Sequence, residues 1–444
     1  MTTPPAVASD PQAEVLQQAM QHQQQGRLDE AEQAYLQVLQ HAPQQHDALH
    51  LLGVLQAQRR NFAQAQELIW RAIAANPDEA MYYNNLANVC VERGQRTEAE
   101  ALYVKAIELD GGRLDALSNL GLLLSKTGRA EDAERLLLRA VELAPSNPDW
   151  RQNLANLYLK LGREADALQH CHDGLVVAPR SRVLRALLVL AYTSFGHPER
   201  AAQVLREWVK SAPDDPYPRH HLAAVTGEQV PERADDRYVA SVFDGFAASF
   251  DAKLADLSYQ APALVAAEVA RLMPAPAGAL RVLDAGCGTG LCGPLLAPHA
   301  KQLIGVDLSA GMLHRAGDRE VYDDLYKGEL VAFLTHCGLR FDLVVSADTL
   351  CYFGNLAGFA AAAALALSPG GALVFTVEAS TGPAPESGYR LQGHGRYSHS
   401  EHYVRSALQG AGLQEVSLQA VILRNENAKP VDGWLVSARA PRGH

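Results

Sequence analysis

The sequence predicts two structural classes in one chain, an all-helical repeat array followed by a doubly wound α/β domain. Alanine, glycine and leucine recur every 34 residues over the first half of the chain. In the second half, two apolar strands flank a glycine-rich turn within 280–307, and each strand ends in an aspartate. Helical and strand segments then alternate to the C-terminus, as in a parallel sheet covered on both faces. The expected limits are a disordered tail at 1–11, the repeat domain at 12–215, a capping helix and linker at 216–235, and the α/β domain at 236–444.

Length, charge and cysteine content limit the function classes. A chain of 444 residues with 48% apolar content can fill more than one core. The formal net charge of −11 argues against unaided nucleic-acid binding, because phosphate contacts need clustered Lys and Arg. The six cysteines form no C-x-x-C pair, which suits a reducing cytoplasm and predicts no metal site. No apolar run is long enough for a membrane helix, so we expect a cytoplasmic protein that binds neither nucleic acid nor membrane.

The 34-residue period can be read from several columns. The alanine lets two helices of a repeat cross closely, the glycine ends the first helix, and the proline separates repeats. The columns are Ala31, Ala65, Ala99, Ala133, Ala167 and Ala201; Gly26, Gly94, Gly128, Gly162 and Gly196; Leu52, Leu86, Leu120, Leu154 and Leu188; and Pro43, Pro77, Pro145, Pro179 and Pro213. This pattern resembles tetratricopeptide (TPR) repeats and implies an α-solenoid of six repeats. The repeats are 12–45, 46–79, 80–113, 114–147, 148–181 and 182–215.

The concave face of a TPR array commonly holds a peptide or a partner protein. Asn85, Asn119 and Asn153 share one column, and spaced amides can bond an extended peptide backbone. The column resembles the asparagine ladder in the TPR domain of O-linked N-acetylglucosamine transferases. It favours a polypeptide partner in the groove. The alternative is that these side chains brace neighbouring repeats, and a homodimer is also left open.

The glycine-rich turn after the first strand predicts a nucleotide-type cofactor site. Gly286, Gly288 and Gly290 free the backbone for positive φ and close approach to a ligand, and Asp307 ends the second strand, where a carboxylate can bind a ribose. The spacing is G-x-G-x-G rather than the G-x-G-x-x-G of dinucleotide sites, which leans away from NAD. The alternative is an ordinary glycine-rich βα turn.

Asp284 and the three glycines resemble motif I of class I S-adenosylmethionine-dependent methyltransferases, D/E-x-G-x-G-x-G. This resemblance implies S-adenosylmethionine as the cofactor and a seven-stranded doubly wound sheet whose last two strands are antiparallel. The implied cofactor-binding residues around the motif are Asp284, Gly286, Cys287, Gly288, Gly290, Asp307 and Leu308.

Upstream of the motif, the segment from Tyr238 to Tyr259 carries apolar residues at helical spacing, which is more often core than cofactor contact. Its pairs Phe243-Asp244 and Phe250-Asp251 resemble the segment that covers the cofactor in ubiquinone/menaquinone-type methyltransferases, although Phe250 stands where a tyrosine is usual. Tyr259 is therefore a candidate in the lid over the cofactor. Between the repeats and this segment, His220 and His221 are expected to be surface residues.

The third strand is expected at Asp324 to Gly328. Class I methyltransferases usually place an acidic residue after it to accept a hydrogen bond from the adenine amino group. Glu329 and Leu330 fit that place, with Asp324 as the fallback. The alternative is that Glu329 is an ordinary solvated side chain.

The run Phe341 to Ser346 predicts a buried fourth strand whose carboxyl end meets the acceptor. Asp348 and Tyr352 follow it and are candidates to orient or deprotonate the acceptor, although Asp348 suits a helix cap equally well. No N-P-P-Y type motif is present, which removes support for methylation of planar amides or bases. The Pro369-Gly370-Gly371 turn before the fifth strand is typical of this fold.

The Pro, Gly and His-rich loop at 380–402 is expected to cover the acceptor pocket. Its candidates for acceptor contacts are Arg390, Arg396, Tyr397 and His399, the last as a base near neutral pH. The whole chain therefore resembles TPR-containing class I methyltransferases. The leading interpretation is methylation of a polypeptide or a carrier-presented substrate recruited through the repeats. Two alternatives stay open: a small-molecule methyltransferase with scaffolding or dimerising repeats, and a scaffold with a vestigial methyltransferase domain.

Overall fold

A computed structural model describes residues 11–273, 278–380, 382, 385–426 and 429–442. The tail expected at 1–11 lies outside the described residues except for its last position. By packing, the chain divides into two compact units, Met1–Phe195 and Gly196–His444. The sequence-derived limits at 215 and 235 remain expectations.

The first unit consists of antiparallel helix pairs. Each pair is separated from the next by a short link, and Gly26, Gly94, Gly128 and Gly162 follow the first helix of a pair with φ between 68° and 84°, values that side chains with a Cβ rarely adopt. The helices are α1 (Pro11–Gln24), α2 (Leu28–His41), α3 (His46–Gln58), α4 (Phe62–Ala75), α5 (Ala80–Glu92), α6 (Arg96–Leu109), α7 (Leu114–Lys126), α8 (Ala130–Leu143), α9 (Pro148–Lys160), α10 (Glu164–Val177) and α11 (Arg182–Ser194).

The core of this unit runs through all the repeats along the predicted columns. The alanines from Ala31 to Ala167 have no exposed surface, and the leucines from Leu52 to Leu188 are at most 4% exposed. At Gly53 and Gly121 the paired helix comes so close that an added Cβ would lie 2.6 Å from Ile69 and 2.9 Å from Leu137. The repeat fold predicted from the 34-residue period is confirmed.

Among the described residues, the second unit begins with five α-helices that precede its first strand. Its helices are α12 (Pro198–Ser211), α13 (Pro216–Thr226), α14 (Asp236–Phe246), α15 (Phe250–Asp256), α16 (Ala261–Leu272), α17 (Gly293–Leu296), α18 (Ala310–Gly317), α19 (Leu330–His336), α20 (Ala357–Ala366) and α21 (Glu401–Gly410). Its strands are β1 (Leu280–Ala285), β2 (Ala300–Asp307), β3 (Asp324–Lys327), β4 (Phe341–Ser346), β5 (Leu367–Ala379), β6 (Tyr389–Leu391), β7 (Tyr397–His399), β8 (Gln414–Glu426) and β9 (Lys429–Arg439).

The sheet is doubly wound. Strands β3, β2, β1, β4 and β5 lie side by side in that order and are parallel, and β9 is antiparallel to both β5 and β8. The order reverses between β1 and β4, so the carboxyl ends of these two strands flank the crevice where such sheets bind ligands.

Helices cover both faces of this sheet. On one face Val265 and Val269 of α16 pack on Val282 and Leu343. On the other face α19, α20 and α21 pack on the residues that alternate with these along the strands, such as Leu283 and Val344. The predicted doubly wound class is therefore confirmed.

Two details differ from the sequence-based expectation. The loop at 380–402 contributes a hairpin, β6 and β7, in which β7 pairs with the last two residues of β5, so the described sheet has nine strands rather than seven. His220 and His221 are not surface residues; they are 4% and 9% exposed. His220 Nε2 lies 2.7 Å from the Gly395 carbonyl oxygen, and His221 Nε2 lies 3.2 Å from the Tyr238 hydroxyl. The two histidines are adjacent in α13, and both are buried because this helix is held between α14 and the hairpin.

Candidate functional site

The carboxyl ends of β1, β2 and β4 open into a cavity of about 380 Å³, a volume in the range of small-molecule sites. Its floor is formed by the turns that follow these strands. Its other walls come from the segment 236–259, here called the covering segment, which contributes mainly apolar side chains such as Val242, Phe243 and Phe250. Most of the predicted site residues line this cavity. They are Tyr259, Asp284, Gly286, Cys287, Gly288, Asp307, Leu308, Glu329, Leu330, Asp348, Tyr352 and Arg396.

The glycines of the turn after β1 have three different roles. Gly286 (φ 76°) passes so close to Thr349 that an added Cβ would lie 2.3 Å from its side chain. Gly288 (φ 55°) lines the cavity, and an added Cβ there would meet no protein atom within 4 Å. Gly290 is not among the lining residues; its missing Cβ leaves room for the ring of Tyr322, at 2.9 Å. The structure thus gives Gly290 a packing role rather than the predicted ligand contact.

Asp307 at the end of β2 organises the turn. Its Oδ2 accepts a hydrogen bond of 2.9 Å from the Gly288 N–H, and its Oδ1 accepts one of 2.8 Å from the Ser309 N–H. Burial raises the pKa of this carboxyl, while the backbone N–H donors act in the opposite direction. The side chain therefore fixes the glycine turn and also presents a carboxylate to the cavity.

Asp284 lies at the cavity end of β1 with 1% of its surface exposed. The Tyr322 hydroxyl donates a hydrogen bond of 2.6 Å to Asp284 Oδ2. Burial raises the pKa of Asp284 to about 7, although the bond from Tyr322 lowers it. This acid is thus held at a cost to stability, which is common in ligand sites.

Two aspartates fasten the covering segment to the turns beneath it. Asp244 accepts hydrogen bonds from Ser309 Oγ at 2.5 Å and from the Gly311 N–H at 3.1 Å, at the start of α18. Asp251 accepts from Thr289 Oγ1 at 2.5 Å in the glycine turn and pairs with Arg319 at 2.6 Å. These are the two aspartates of the sequence pattern that predicted a lid. Their bonds explain why aspartate occurs at both places.

The residues after β3 are placed partly as expected. Glu329 and Leu330 line the cavity, but both Glu329 oxygens are engaged: they accept from the Val331 and Ala332 N–H groups at 3.0 and 2.7 Å and cap α19. Glu329 is thus held by the helix that it caps and is not an ordinary solvated side chain, and each of its oxygens keeps a further lone pair toward the cavity. Asp324, the fallback, accepts from Gln302 Nε2 at 3.3 Å and is not among the lining residues.

Asp348 follows β4 in a left-handed backbone conformation (φ 57°) that aspartate tolerates better than most residues. It does not cap the next helical turn, since that turn begins at Thr349 without a side-chain cap. Its Oδ2 instead accepts a bond of 2.5 Å from Arg424 Nη1. Its Oδ1 is shielded from solvent and has no hydrogen-bond partner among the described residues. Tyr352 packs edge-on against Phe243 of the covering segment, at 5.5 Å between ring centroids.

Arg424 belongs to a group of five charged residues that we call the arginine–carboxylate cluster: Asp348, Glu378, Arg396, Arg424 and Glu426. Arg424 donates to Asp348, Glu378 and Glu426, one from each guanidinium nitrogen. Arg396 donates to Glu378 at 2.5 Å and to Glu426 at 2.8 and 2.9 Å. All members except Glu378 line the cavity.

Sequence reasoning named Asp348 and Arg396 but missed the other three members. These are Glu378, near the end of β5, and Arg424 and Glu426, in the last residues of β8. The available signal was the run Arg424-Asn425-Glu426 in a strand that continues past its apolar part. The register shift between Ile422 and Arg424 then brings the arginine to the cavity.

The remaining predictions for the 380–402 loop are corrected. His399 does not line the cavity; it has no exposed surface and its Nε2 lies 3.1 Å from the Gly354 carbonyl oxygen. Burial lowers the pKa of His399 to about 4, so it stays neutral and does not reach an acceptor. The Tyr397 hydroxyl donates to the Pro231 carbonyl oxygen at 2.7 Å, and Arg390 is exposed; neither is among the lining residues. Residues 381, 383 and 384 of this loop lie outside the described part.

Three buried cysteines, Cys287, Cys292 and Cys351, also line the cavity. Burial raises the pKa of each thiol well above its usual range, with nearby carboxylates acting in the same direction. The thiols are therefore protonated at neutral pH and are poor nucleophiles.

Family models match both halves of the chain. A model described as a methyltransferase domain matches residues 257–418, which include the glycine turn, Asp307 and Asp348. Models described as tetratricopeptide repeats match residues 22–89, 78–146 and 118–175.

Curated relatives align with short parts of the chain. An 18S rRNA (guanine-N(7))-methyltransferase from Arabidopsis thaliana is 49% identical over 49 residues, 11% of this chain and 17% of the relative. A malonyl-[acyl-carrier protein] O-methyltransferase from Pseudescherichia vulneris is 31% identical over 150 residues, 34% of this chain and 57% of the relative. The chain therefore spans less than two thirds of the length of these relatives.

Among solved structures, a thermophilic TPR protein from Thermus thermophilus is 26% identical, with a TM-score of 0.36. The match covers 41% of this chain and 99% of that protein.

Proposed function

The chain carries tetratricopeptide repeats in its N-terminal half and a methyltransferase domain in its C-terminal half, and from that premise we propose that it is a class I enzyme transferring methyl groups from S-adenosylmethionine. The acceptor is a polypeptide, or a substrate presented by a carrier protein, that the repeats recruit. The observation that supports this proposal most directly is the glycine turn, fixed by Asp307, at the floor of a mainly apolar cavity.

The described residues fit S-adenosylmethionine. The open space above Gly288 leaves the backbone free to approach a ligand, and Asp307 supplies a carboxylate beside it for a ribose diol. Asp284 offers a second buried carboxylate, and Leu308 and Leu330 offer apolar surface. Bound there, the cofactor supplies an electrophilic methyl group on a sulfonium sulfur.

The chain's own residues then hold the acceptor and exclude water. The covering segment places Phe243 and Phe250 over the turns, and its two aspartates hold it there. Since alignment of the acceptor with the methyl group in a dry cavity supplies much of the rate, this fastening is part of the catalytic arrangement. Asp348 is the candidate for orienting the acceptor.

The repeats make a macromolecular acceptor the leading choice over a free metabolite. TPR repeats generally mediate protein–protein interaction. The small-molecule enzyme and the non-catalytic scaffold remain the alternatives, although the intact cavity weighs against a scaffold. The net charge of −11 argues against an RNA acceptor bound by this chain alone. We also expect the enzyme to be cytoplasmic; among the described residues no helix combines the length and apolar character needed to cross a membrane.

The test incubates the purified protein with methyl-labelled S-adenosylmethionine and extract from cells that lack it. Acid-precipitable label that protease removes and nuclease does not is the expected result, and it should disappear with Asp307→Ala. Label confined to the soluble fraction would reject the recruited-polypeptide proposal in favour of a small acceptor. Failure of the wild type to bind S-adenosylmethionine in calorimetry would reject the enzyme altogether.

The asparagine column of the repeats yields a separate prediction. Asn85 Nδ2 lies 2.9 Å from His50 Nε2, Asn119 Nδ2 donates to Asn84 Oδ1 at 3.1 Å, and Asn153 Nδ2 donates to Ser118 Oγ at 2.8 Å. Each bond joins neighbouring repeats, so the bracing role is present. Changing Asn85, Asn119 and Asn153 to Ala together should lower the free energy of unfolding by about 1.5–4.5 kcal/mol, at roughly 0.5–1.5 kcal/mol for each of these three bonds.

That prediction is checked by urea unfolding, with the exposed Gln203→Ala as the control. If the groove also binds a peptide through these amides, the triple variant should lose partners in pull-down. The pull-down is done without urea, where the circular dichroism of the variant matches that of the wild type. If the partners remain bound, the asparagine column braces neighbouring repeats and does not bind the peptide.

A further inference from the structure

The arginine–carboxylate cluster lies on one side of the glycine turn, and the structure shows what kind of acceptor it accommodates. Strand β1 carries the turn, β2 lies on one side of it with Asp307, and β4 lies on the other side with Asp348. Within the same cavity, the cluster therefore lies on the side of the turn away from the expected ribose site.

The cations of the cluster are already engaged. Every guanidinium nitrogen of Arg424 donates to a carboxylate, and Arg396 holds Glu378 and Glu426 through two of its nitrogens. Arg233, a further cation of the lining, lies 2.5 Å from Asp236 and 3.7 Å from Glu329. An incoming carboxylate would therefore have to displace one of these pairs to bind Arg424, the cation that holds Asp348.

The net charge of the arginine–carboxylate cluster also disfavours a carboxylate acceptor. Three carboxylates face two guanidiniums, which leaves one formal negative charge when all are ionised. Arg424 is 4% and Glu378 5% exposed, so water screens these charges little. A second anion in this place is repelled, whereas a neutral or cationic donor is attracted.

The cluster also has an unused acceptor atom. Arg424 holds Asp348 through Oδ2 only, while Asp348 Oδ1 is buried and unpartnered among the described residues. A buried carboxylate oxygen without a donor costs free energy, and a ligand N–H or O–H would remove that cost. Arg424 keeps the carboxylate in one orientation, so the position of Oδ1 is fixed.

From these contacts we propose that the methyl acceptor is a nitrogen or hydroxyl group that carries its own proton and donates it in a hydrogen bond to Asp348 Oδ1, and that it is not a carboxylate. The inference rests on the proposed methyl transfer. The acceptor's lone pair forms a bond to the methyl carbon, and the bond from that carbon to the sulfonium sulfur breaks with its electron pair left on sulfur. The acceptor's proton passes to Asp348 Oδ1 and from there to solvent.

Sinefungin tests this placement without knowledge of the acceptor, because it carries a protonated amine where S-adenosylmethionine has its sulfonium methyl. Calorimetry compares sinefungin with S-adenosylhomocysteine, which lacks that group. The wild type should prefer sinefungin, and Asp348→Asn should weaken sinefungin binding by about tenfold or more while changing S-adenosylhomocysteine binding by no more than about twofold. Asparagine tolerates the left-handed backbone at this position, and retained S-adenosylhomocysteine binding shows that the variant is folded.

Asp432→Asn is the matched control, since it removes one exposed carboxylate of β9 and should leave both affinities unchanged. An unchanged ratio of the two affinities in Asp348→Asn would overturn the inference while the proposed function stands. Absence of S-adenosylhomocysteine binding by the wild type would overturn both.

A second measurement treats the methyl-labelled product with mild alkali. Methyl esters release their label as volatile methanol, whereas N-methyl and ether O-methyl groups keep it. Retention of the label is expected. Release as methanol would show a carboxylate acceptor and overturn the inference.

Discussion

Arg424→Ala should destabilise the second unit by about 3–5 kcal/mol, because removing one partner of a buried ion pair leaves an uncompensated charge. Arg424 is 4% exposed and holds three carboxylates, of which Glu378 is also nearly inaccessible. Arg396 contacts only two of them, so Asp348 would lose its hydrogen-bonded cation. Urea unfolding at pH 8 measures the effect.

Arg237→Ala is the control for this experiment. Arg237 is 67% exposed and pairs with Asp235 at 3.4 Å, so its loss should cost less than about 1 kcal/mol. A loss of similar size for both variants would show that the cluster adds nothing beyond an ordinary surface ion pair.

The loss in Arg424→Ala should depend on pH. Burial raises the folded-state pKa of Asp348 and the Arg424 guanidinium opposes that rise, so without the guanidinium this pKa rises further above its unfolded value. A carboxyl group with a raised folded-state pKa lowers stability most above that pKa; the penalty shrinks as pH falls below the folded value and is gone below the unfolded value. The difference between variant and wild type should therefore be largest at pH 8 and smaller at pH 5. A difference that is constant over this range would contradict the electrostatic explanation.

The sequence was informative wherever a local pattern alone dictates the structure. The 34-residue period predicts helix pairs because each alanine lies at the close contact between two helices and each glycine ends the first helix of a pair with positive φ, and both residue types are read directly. The glycine turn and Asp307 were also predictable, since a strand, a turn with positive φ and an acid at the next strand end form one βα unit. Their roles in binding remain predictions.

The residues that were missed depend on contacts distant in sequence. Arg424 and Asp348 are 76 positions apart, and nothing near either residue indicates the pair. His220 contacts Gly395, 175 positions away, so its burial could not be predicted from the sequence of its own helix. His399 was selected for its chemistry, but β7 pairs with β5 and packs the ring inside. Residue type suggested a reactive group in these cases, while topology decided what it contacts.

The acid that begins the motif illustrates how a binding site can oppose stability. Asp284 is 1% exposed, and no cation contacts it in the described part of the chain; its hydrogen bond comes from the neutral Tyr322 hydroxyl. Burial raises its pKa to about 7, compared with about 3.9 in an unfolded chain. At pH 8 the folded protein must hold an ionised carboxylate in an apolar place. An asparagine keeps the bond from Tyr322 and removes the charge.

We therefore expect Asp284→Asn to raise the free energy of unfolding at pH 8 by about 2–4 kcal/mol, at 1.36 kcal/mol per pKa unit, and to weaken S-adenosylmethionine binding. The gain should decrease as pH falls through 7 and should disappear below about pH 3, where the carboxyl is protonated in both states. Urea unfolding at pH 8 and at pH 5 measures the first effect, calorimetry measures the second, and Asp432→Asn controls for loss of a surface charge. If the variant is less stable than the wild type at pH 8, the carboxylate supports the fold, and the stability cost assigned to it here is wrong. If it is more stable but binds the cofactor equally well, Asp284 is a buried charge without a part in binding, and the cofactor site depends on Asp307 and the glycine turn.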